Sequence, residues 1–177
     1  MKEILQRDNP VLRQQAKTVE LSEIGSESFN AIIDDMATAM SQQKDGVAIA
    51  APQIGISQRI FVISGSVLKH ADKTYTGEAV NLIFVNPEIT KLSKDKKEME
   101  EGCLSVRWLY GKVKRSTRAT IVYYNEKGEK IERGASGLLA QIFQHETDHL
   151  NGVLFIDKAN EVWEMSDEEI RELQEKK

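Results

Sequence analysis

Residues 136–152 constrain the fold of this chain more than any other stretch. Ser136 is a favourable N-cap residue, and Gly152 stands where a left-handed residue ends a helix, so one helix is predicted between them. At about 100° per residue, two histidines fall on the apolar face of that helix with a glutamate beside them. The apolar face contains Leu138, Leu139, Ile142, Phe143, His145, Glu146, His149 and Leu150, and the opposite face contains Gln141, Gln144, Thr147 and Asp148.

The histidine pair on this helix predicts a metal site. His145 and His149 are one turn apart, about 6 Å of rise, so their rings can reach the same ion while Glu146 holds a water molecule. The alternative is a helix that carries H-E-x-x-H by chance, which the apolar surroundings of the histidines disfavour because unsatisfied buried polar groups are costly. The helix supplies only two ligands, so a third must come from elsewhere.

Cys103 is the candidate third ligand. It is the single cysteine of the chain and lies in an irregular, glycine-containing stretch at residues 101–105. A thiolate is a good ligand for Zn²⁺ or Fe²⁺, and a Cys/His/His set leaves one tetrahedral position open for water. Taken alone, a lone cysteine is more often a small buried hydrophobic residue. The H-E-x-x-H pattern favours the ligand interpretation.

Composition limits the function classes. A chain of 177 residues predicts a single domain spanning residues 1–177. The net charge of −4 disfavours a DNA-binding protein, and the absence of a run of about 18 apolar residues predicts no membrane partner. The first residues resemble neither a signal peptide nor a transit peptide, and one cysteine excludes an internal disulfide, so a cytoplasmic location is expected.

The remaining elements predict an α+β fold. Helices are expected at residues 10–17, from Ser26 to about Gly46, and from Ser166 to the C-terminus. Strands are expected at residues 59–63, 82–85, 89–99, 119–124 and 129–133, the last two as a hairpin, with a polar loop at 69–77 carrying a solvent-facing His70. Strands precede the buried helix without alternating with helices, which favours antiparallel or mixed sheets packed around a central H-E-x-x-H helix.

Three motifs make the chain resemble the peptide deformylase family. They are a small-residue segment ending in glutamine at residues 46–53, E-G-C-L-S at 101–105, and Q-H-E-x-D-H-L at 144–150. Residues 8–13 and 137–140 also match, so the likeness covers nearly the whole chain. The resemblance implies an enzyme that removes the formyl group from the N-terminal formylmethionine of newly synthesised polypeptides and releases formate.

The resemblance also implies roles for the central residues. Cys103, His145 and His149 would hold one divalent metal ion, natively Fe²⁺ in this family, with Zn²⁺, Ni²⁺ or Co²⁺ able to substitute. Glu146 would take a proton from the attacking water and deliver it to the departing amine. The backbone N–H of Leu104 and the side-chain amide of Gln53 would stabilise the negatively charged oxygen that develops during the reaction.

Further residues are candidates for binding the methionine side chain or for supporting the metal ligands. The substrate candidates are Gly46, Val47, Ala48, Ile142 and Trp108. Ordinary core packing is the alternative for the pocket walls. Arg115 and Asp148 are expected to form a buried pair behind the metal ligands.

Three departures from the family pattern bear on the substrate. Ala48 replaces a glycine of the first motif, and Arg107 stands where a proline often follows E-G-C-L-S. The stretch from Trp108 replaces one that commonly carries a basic substrate contact, so Trp108 is expected to offer an apolar surface to residues after the methionine.

Partner predictions follow from charge. Some relatives dock on the ribosome through a basic C-terminal helix, whereas acidic residues dominate the last eleven positions here, so only weak ribosome association is expected. The alternative docking surface is a basic cluster, for which solvated strand charges are the favoured explanation. This cluster consists of Lys112, Lys114, Arg115 and Arg118. A monomer that binds N-formylmethionyl peptides is predicted.

Two other functions compete. The first is an H-E-x-x-H metallopeptidase, which takes its third ligand downstream of the helix, whereas Cys103 lies upstream. The second is a catalytically silent relative that binds N-termini, or a structural zinc protein. Loss of Glu146, Gln53 or Cys103 would favour it, and all three are present.

Overall fold

The computed structural model describes residues 2–71 and 78–175. The described ranges contain four α-helices: α1 (Glu27–Ser41), α2 (Gly65–Ala71), α3 (Gly137–Leu150) and α4 (Asp167–Glu175). They contain eight strands: β1 (Ala48–Ala50), β2 (Ile60–Ile63), β3 (Leu82–Leu92), β4 (Lys96–Gly102), β5 (Leu109–Ser116), β6 (Arg118–Tyr124), β7 (Lys130–Ser136) and β8 (Ala159–Glu164). Short 3-10 helices cover Pro10–Arg13, Leu21–Glu23, Ala51–Ile54 and Phe155–Asp157.

The strands form two antiparallel sheets. The five-stranded sheet has the order β1-β2-β3-β6-β7, and the three-stranded sheet has the order β4-β5-β8. Every pair of neighbouring strands is antiparallel. The predicted hairpin is formed by β6 and β7, whose turn contains Gly128 at φ 76°. This architecture confirms the α+β prediction.

Helix α3 packs across the five-stranded sheet and also against β5. Phe143 on this helix contacts Phe84 on β3, whose ring also stacks on Phe61 and packs at a tilt against Tyr123. The helix ends at Leu150, and Gly152 follows it at φ 72° as the predicted left-handed stop, with the Val153 N–H donating to the Asp148 carbonyl in a Schellman arrangement. Packing on two sides therefore fixes both the position and the rotation of the helix.

One face of α3 was predicted incorrectly. Gln144 was expected on the polar side, but it is only 7% exposed. Its side-chain oxygen accepts from the Ser116 N–H, and its amide donates to the Ser116 and Ala140 carbonyls. Because β5 covers this side of the helix and the amide meets its hydrogen-bonding needs there, a polar residue can be buried.

Local interactions explain the other differences in the elements. The predicted helix at 10–17 ends at Arg13, because the next residues bond elsewhere: the Ala16 N–H donates to the Leu150 carbonyl. The predicted strand at 89–99 is divided between β3 and β4, which belong to different sheets and are joined through a turn held by the Ser93 hydroxyl. Helix α1 ends at Ser41, before the predicted end near Gly46.

The predicted polar loop at 69–77 is partly wrong. Its first three residues belong to α2, and its remaining residues, 72–77, lie outside the described ranges. His70 is exposed, as predicted. The predicted N-terminal caps at Ser26 and Ser166 are confirmed, since each hydroxyl accepts a backbone N–H three residues on. Over residues 2–71 and 78–175, no helix is long and apolar enough to cross a membrane.

Replacing Phe84 should test the packing that positions α3. Phe84 is fully buried, with ring centroids 4.4 Å from Phe61 and 4.1 Å from Tyr123. Phe84→Ala should lower the free energy of unfolding by about 3–5 kcal/mol. Leu92→Ala, at a side chain that is 52% exposed, should change it by less than about 0.5 kcal/mol. Urea denaturation of both variants measures the difference, and similar losses would contradict the assigned core.

Candidate active site

Three candidate ligand atoms meet beside α3. Cys103 lies in the irregular segment just after β4, and His145 and His149 project from consecutive turns of α3. Their ligand atoms lie within 4.8 Å of one another, and the Cys103 Sγ is 3.2 Å from the His149 Nε2. The fold thus brings together residues that are 42 positions apart, the difference between 103 and 145.

A buried ion-pair network orients His145. The His145 Nδ1 lies 2.9 Å from Glu101 Oε2, which leaves Nε2 as the ring nitrogen available to a ligand. Both Glu101 oxygens accept from Arg115, at 2.7 and 2.9 Å, and Arg115 also donates to Asp148 at 2.6 Å. Arg115 and Asp148 are therefore paired, and Glu101 joins them to the histidine.

Charges in the network determine the ionisation of Glu101. Burial alone would raise the pKa of Glu101, but hydrogen bonds from Arg115 and His145 outweigh it and lower this pKa to about 2. Burial opposes the charge on Arg115 in the same way, yet its carboxylate partners raise the pKa of Arg115. Both groups stay charged in the interior, so the orientation of His145 persists over the whole physiological pH range.

Glu146 has a different environment from Glu101. Its side chain is 4% exposed and lines the cavity beside the histidines, and its Oε2 has no hydrogen-bond partner among the described residues. Burial, reinforced by the negative charge of Glu101, raises the pKa of Glu146 to about 7, against the opposing influence of His145 and Arg115. A carboxyl group with this pKa can accept and release a proton near neutral pH.

The two histidines differ in ionisation. Burial, and then the charge of His145, keep the pKa of His149 well below its ordinary value, so this ring is neutral. Burial also opposes the charge on His145, but hydrogen bonds with Cys103 and Glu101 raise the pKa of His145 well above its ordinary value. The carboxyl groups of Glu101 and Glu146 therefore favour a positive charge near His145.

This donor set fits a divalent transition metal. One thiol and two imidazoles are the ligands that Zn²⁺ and Fe²⁺ accept, whereas Mg²⁺ and Ca²⁺ prefer oxygen ligands. A cation would also satisfy the local electrostatics, because Glu146 Oε2 is buried without a partner next to the ligands.

Gln53 is held with its amide nitrogen towards the ligands. It lies in the 3-10 helix Ala51–Ile54, and its Oε1 accepts from the Ala50 N–H at 2.8 Å. Its Nε2 lies 3.1 Å from Ser105 Oγ and 3.6 Å from Cys103 Sγ. Because the oxygen is occupied by the backbone, the group that faces Cys103 is a hydrogen-bond donor.

The loop after Cys103 is held from the N-terminal segment. The Gln6 amide donates to the Leu104 carbonyl at 3.0 Å, and the Arg107 N–H donates to Gln6 Oε1 at 3.2 Å. The Ser105 N–H donates to the Cys103 sulfur at 3.4 Å. These bonds fix the turn that carries Cys103 and Leu104, and nothing in the sequence pattern indicated Gln6.

A mostly apolar cavity of about 280 Å³ opens beside these residues. Of the predicted substrate residues, Val47, Ala48 and Ile142 line it. Other residues in its lining, which the sequence did not single out, include Asp45, Tyr110, Leu138 and Gln141. Leu138 was predicted to be buried, but it lines the cavity and is 45% exposed.

The structure does not bring Gly46 and Trp108 to this cavity. A Cβ at Gly46 would lie 2.2 Å from the Met40 carbonyl, so this glycine permits close packing against the end of α1. Trp108 lines a second cavity, with the Arg107 guanidinium 4.5 Å from its ring centroid. Arg115 cannot belong to the predicted basic docking cluster, because it is only 3% exposed and lies in the buried network.

Comparison with known proteins matches the polypeptide deformylase family model to residues 1–164. The chain belongs to the polypeptide deformylase family. Peptide deformylase of Fusobacterium nucleatum is 47% identical over 148 residues, covering 84% of this chain and 78% of that protein. The crystal structure of peptide deformylase from Thermotoga maritima has a TM-score of 0.77 at 38% identity, covering 90% of this chain and 98% of that one.

A further solved relative carries a peptide. Peptide deformylase of Acinetobacter baumannii, crystallised with Met-Ala-Ser bound, has a TM-score of 0.77 at 34% identity and covers 89% of this chain and 98% of its own. As a deformylase, the present chain is a hydrolase that removes the formyl group from the N-terminal formylmethionine of polypeptides. The family implies a divalent metal ion, with which the Cys103, His145 and His149 cluster is consistent.

Removing the buried guanidinium should destabilise this deformylase strongly. Arg115→Ala leaves Glu101 buried without its guanidinium partner, while Asp148 keeps only Lys158, which should lower the free energy of unfolding by about 3–5 kcal/mol. Lys112→Ala breaks an ion pair to Glu161 whose side chains are 40% and 60% exposed, and it should leave the denaturation midpoint nearly unchanged. Chemical denaturation followed by circular dichroism compares the two variants. Equal midpoints would contradict the interdependence of the buried network.

Proposed function

We propose that Cys103, His145 and His149 hold one divalent metal ion and that Glu146 moves the protons of the deformylation reaction at this site. The observation that carries the proposal is the meeting of three ligand atoms within 4.8 Å of one another, next to a buried carboxyl group with an unpartnered oxygen. A cluster of ligand residues without a nearby proton carrier could bind an ion but would lack a general base. Here a buried carboxyl group, that of Glu146, adjoins the ligand cluster.

We propose Fe²⁺ as the native ion, with Zn²⁺, Ni²⁺ or Co²⁺ able to replace it. The mixed sulfur and nitrogen donor set supports this range, because such donors suit late first-row divalent metals. When bound, the ion acidifies a water molecule and polarises the formyl oxygen. Glu101 supports the arrangement by holding His145 through Nδ1, and Arg115, which also donates to Asp148, holds Glu101 in turn.

Glu146 is proposed as the general base and then the general acid. It accepts a proton as water oxygen adds to the formyl carbon, and it gives that proton to the methionine nitrogen as the carbon–nitrogen bond breaks. The products are formate and a free amino group. The pKa of Glu146, about 7 because of burial, suits both transfers near neutral pH.

Two donors are proposed to stabilise the oxygen of the formyl group as negative charge develops on it. These are the Nε2 amide of Gln53 and the backbone N–H of Leu104. The amide of Gln53 supports this role because its oxygen is occupied by the Ala50 N–H, so it needs no rotation to present a donor. The Gln6 bonds support the role of Leu104 by fixing its turn.

The methionine side chain is proposed to enter the 280 Å³ cavity. Val47 and Ile142 provide apolar walls, and Ala48 presents backbone to the substrate. Gly46 contributes indirectly, by allowing the segment before Val47 to pack closely on α1. A thioether side chain gains from an apolar lining of this kind.

We also propose a location, an oligomeric state and a level of ribosome association for this chain. The chain would act as a cytoplasmic monomer with one catalytic domain over residues 1–177. It would associate at most weakly with the ribosome, because α4 carries five carboxylates against one arginine within Asp167–Glu175.

Two alternatives are weaker. A silent relative that only binds N-termini would not need Glu146 buried with an unpartnered oxygen beside the ligand cluster. A metallopeptidase that cleaves internal bonds would need an extended cleft, whereas the cavity beside the histidines is about 280 Å³.

The proposed function is tested with protein purified without oxygen and loaded with Fe²⁺. Formyl-Met-Ala should be hydrolysed, and formate release measures the rate. Acetyl-Met-Ala, which lacks the formyl group, serves as the control substrate. Stoichiometric metal binding without formate release would refute the proposal and favour the silent alternative.

Replacing the general base should separate turnover from metal binding. Glu146→Gln keeps the size of the side chain but cannot carry the proton, so kcat should fall by about 10²–10⁴-fold. The metal content should stay near that of the unmodified protein. Glu132→Gln, at an exposed position on β7, is the matched control and should retain full turnover. Undiminished kcat in Glu146→Gln would exclude the assigned role.

Replacing a ligand should abolish stable metal binding. His149→Ala removes one of the three clustered donors, and the metal affinity should fall by roughly 100-fold or more. His70→Ala, at the exposed histidine, should not change it. Competition with a chelator, followed by elemental analysis, measures both variants. Equal metal retention would remove His149 from the ligand set.

A further inference from the structure

Arg107 holds the far end of the loop that carries Cys103 and Leu104. Its guanidinium donates to both carboxylate oxygens of Asp45, with Nη2 2.9 Å from Oδ1, and Nη2 also lies 3.0 Å from Gln43 Oε1. The side chains of Arg107 and Asp45 are only 16% and 23% exposed, so solvent screens the pair weakly. Two parallel hydrogen bonds fix the direction of the contact as well as its length.

The loop sets the direction of the Leu104 N–H through a backbone hydrogen bond. The Val106 N–H donates to the Cys103 carbonyl at 3.0 Å. That carbonyl and the Leu104 N–H belong to one planar trans peptide group, in which they point in opposite directions. The direction of the Leu104 N–H therefore follows the position of Val106, the residue immediately before Arg107.

The Arg107–Asp45 pair also reaches the segment of the second proposed donor. Asp45 comes three residues before β1, and Gln53 lies in the 3-10 helix directly after this strand. β1 is buried along its length, and the Ala50 N–H donates to Gln53 Oε1. Asp45, Gln53 and Leu104 all line the first cavity. The ion pair thus ties the segment of Gln53 to the loop of Leu104 at the wall of that cavity.

The other contact between these segments is less suited to hold them. Gln53 Nε2 lies 3.1 Å from Ser105 Oγ, and a hydroxyl group rotates to suit its partner. A formyl oxygen that accepts from the Gln53 amide would also compete with this contact. The donors of Arg107 face no such competition, because Asp45 and Gln43 occupy them.

Arg107 is itself held on two further sides. Its backbone N–H donates to Gln6 Oε1 at 3.2 Å, and its guanidinium lies 4.5 Å from the ring centroid of Trp108. An arginine fixed at its backbone and at its guanidinium can transmit the position of Asp45 to the loop.

We propose that Arg107 is a positioning residue for deformylation, whose two hydrogen bonds to Asp45 keep the Leu104 N–H in a fixed relation to the Gln53 amide. The proposal rests on the proposed function, because it assumes that these two groups stabilise the charge on the formyl oxygen. Donors stabilise a developing charge best when they are already in place. Loosening the pair should therefore slow turnover without weakening the binding of the ground state.

Steady-state kinetics of the iron-loaded enzyme with formyl-Met-Ala test the proposal. Arg107→Met should lower kcat about tenfold, less than the roughly 10²–10³-fold loss typical of removing a donor outright. KM and metal affinity should stay within about twofold. Arg107→Lys should lose nearly as much, because one ammonium cannot make the paired bonds. Arg13→Met is the matched control: it breaks an arginine–aspartate pair whose side chains are 42% and 38% exposed, and it should keep full turnover.

A double-mutant cycle assigns the effect to the pair. Asp45→Ala should lower kcat by about the same factor as Arg107→Met, and the double variant should lose no more than either single variant, since each removes one shared contact. Losses that multiply in the double variant would overturn the inference, because the two residues would then act separately.

A measurement on the resting protein tests the positioning directly. In zinc-loaded protein labelled with ¹⁵N-leucine, the Leu104 amide signal is assigned by its loss in Leu104→Met. Arg107→Met should broaden this signal through exchange on the microsecond-to-millisecond timescale, and it should leave the signal of Leu139 on α3 sharp. An unmoved and equally sharp Leu104 signal would overturn the inference.

The kinetic outcomes are distinct. Full kcat in Arg107→Met or in Arg107→Lys would overturn the inference while leaving deformylation intact. A loss of metal affinity as large as the loss of kcat would also overturn it, since Arg107 would then serve only to keep the loop of Cys103 folded. If Arg107→Met does not fold, Arg107→Lys carries the same test. No formate release from the unmodified enzyme would instead refute the proposed function.

Discussion

The buried contact between Arg115 and Glu101 supports both the fold and the site. It joins β5 to β4, and through Asp148 and His145 it joins the three-stranded sheet to α3. Charges removed from water gain stability only when their geometry is well satisfied, so the position of Glu101 is narrowly defined. His145 takes its orientation from that carboxylate. The arrangement of the proposed metal ligands therefore depends on an ion pair that lies outside the ligand cluster itself.

Much of the site could be predicted from local sequence. The spacing of His145 and His149 and the stop at Gly152 depend on residues within a few turns of one another, and these predictions agree with the structure, whereas the Ser136 side chain makes no capping hydrogen bond. Burial on the second side of α3 could not be predicted, because it depends on β5, which is distant in sequence. Gln144 shows the limit: helical periodicity assigns one buried face, whereas this helix lies between two sheets. Glu101 was identified only as part of a motif, although a ligating histidine needs such a partner.

Directions of side chains were harder to predict than positions. Trp108 follows the ligand loop closely, but the chain turns after Arg107, and the ring lines a different cavity. Gly46 was expected beside the substrate because small residues admit close approach, and the close neighbour proved to be the carbonyl of Met40. In both cases the residue type indicated the kind of contact, an apolar surface or a close approach. The tertiary fold determines which neighbour makes that contact.

The end of α3 has a consequence for biosynthesis. A Cβ at Gly152 would lie 2.6 Å from the Arg13 carbonyl, and the Ala16 N–H bonds to Leu150, so the beginning of the chain rests on the last turn of the helix that carries both histidines. Residues 13–16 thus find this partner only after residue 152 has been synthesised. During synthesis, the cluster of Cys103, His145 and His149 therefore cannot be held in its final place until the end of α3 has been made and has met the segment at residues 13–16.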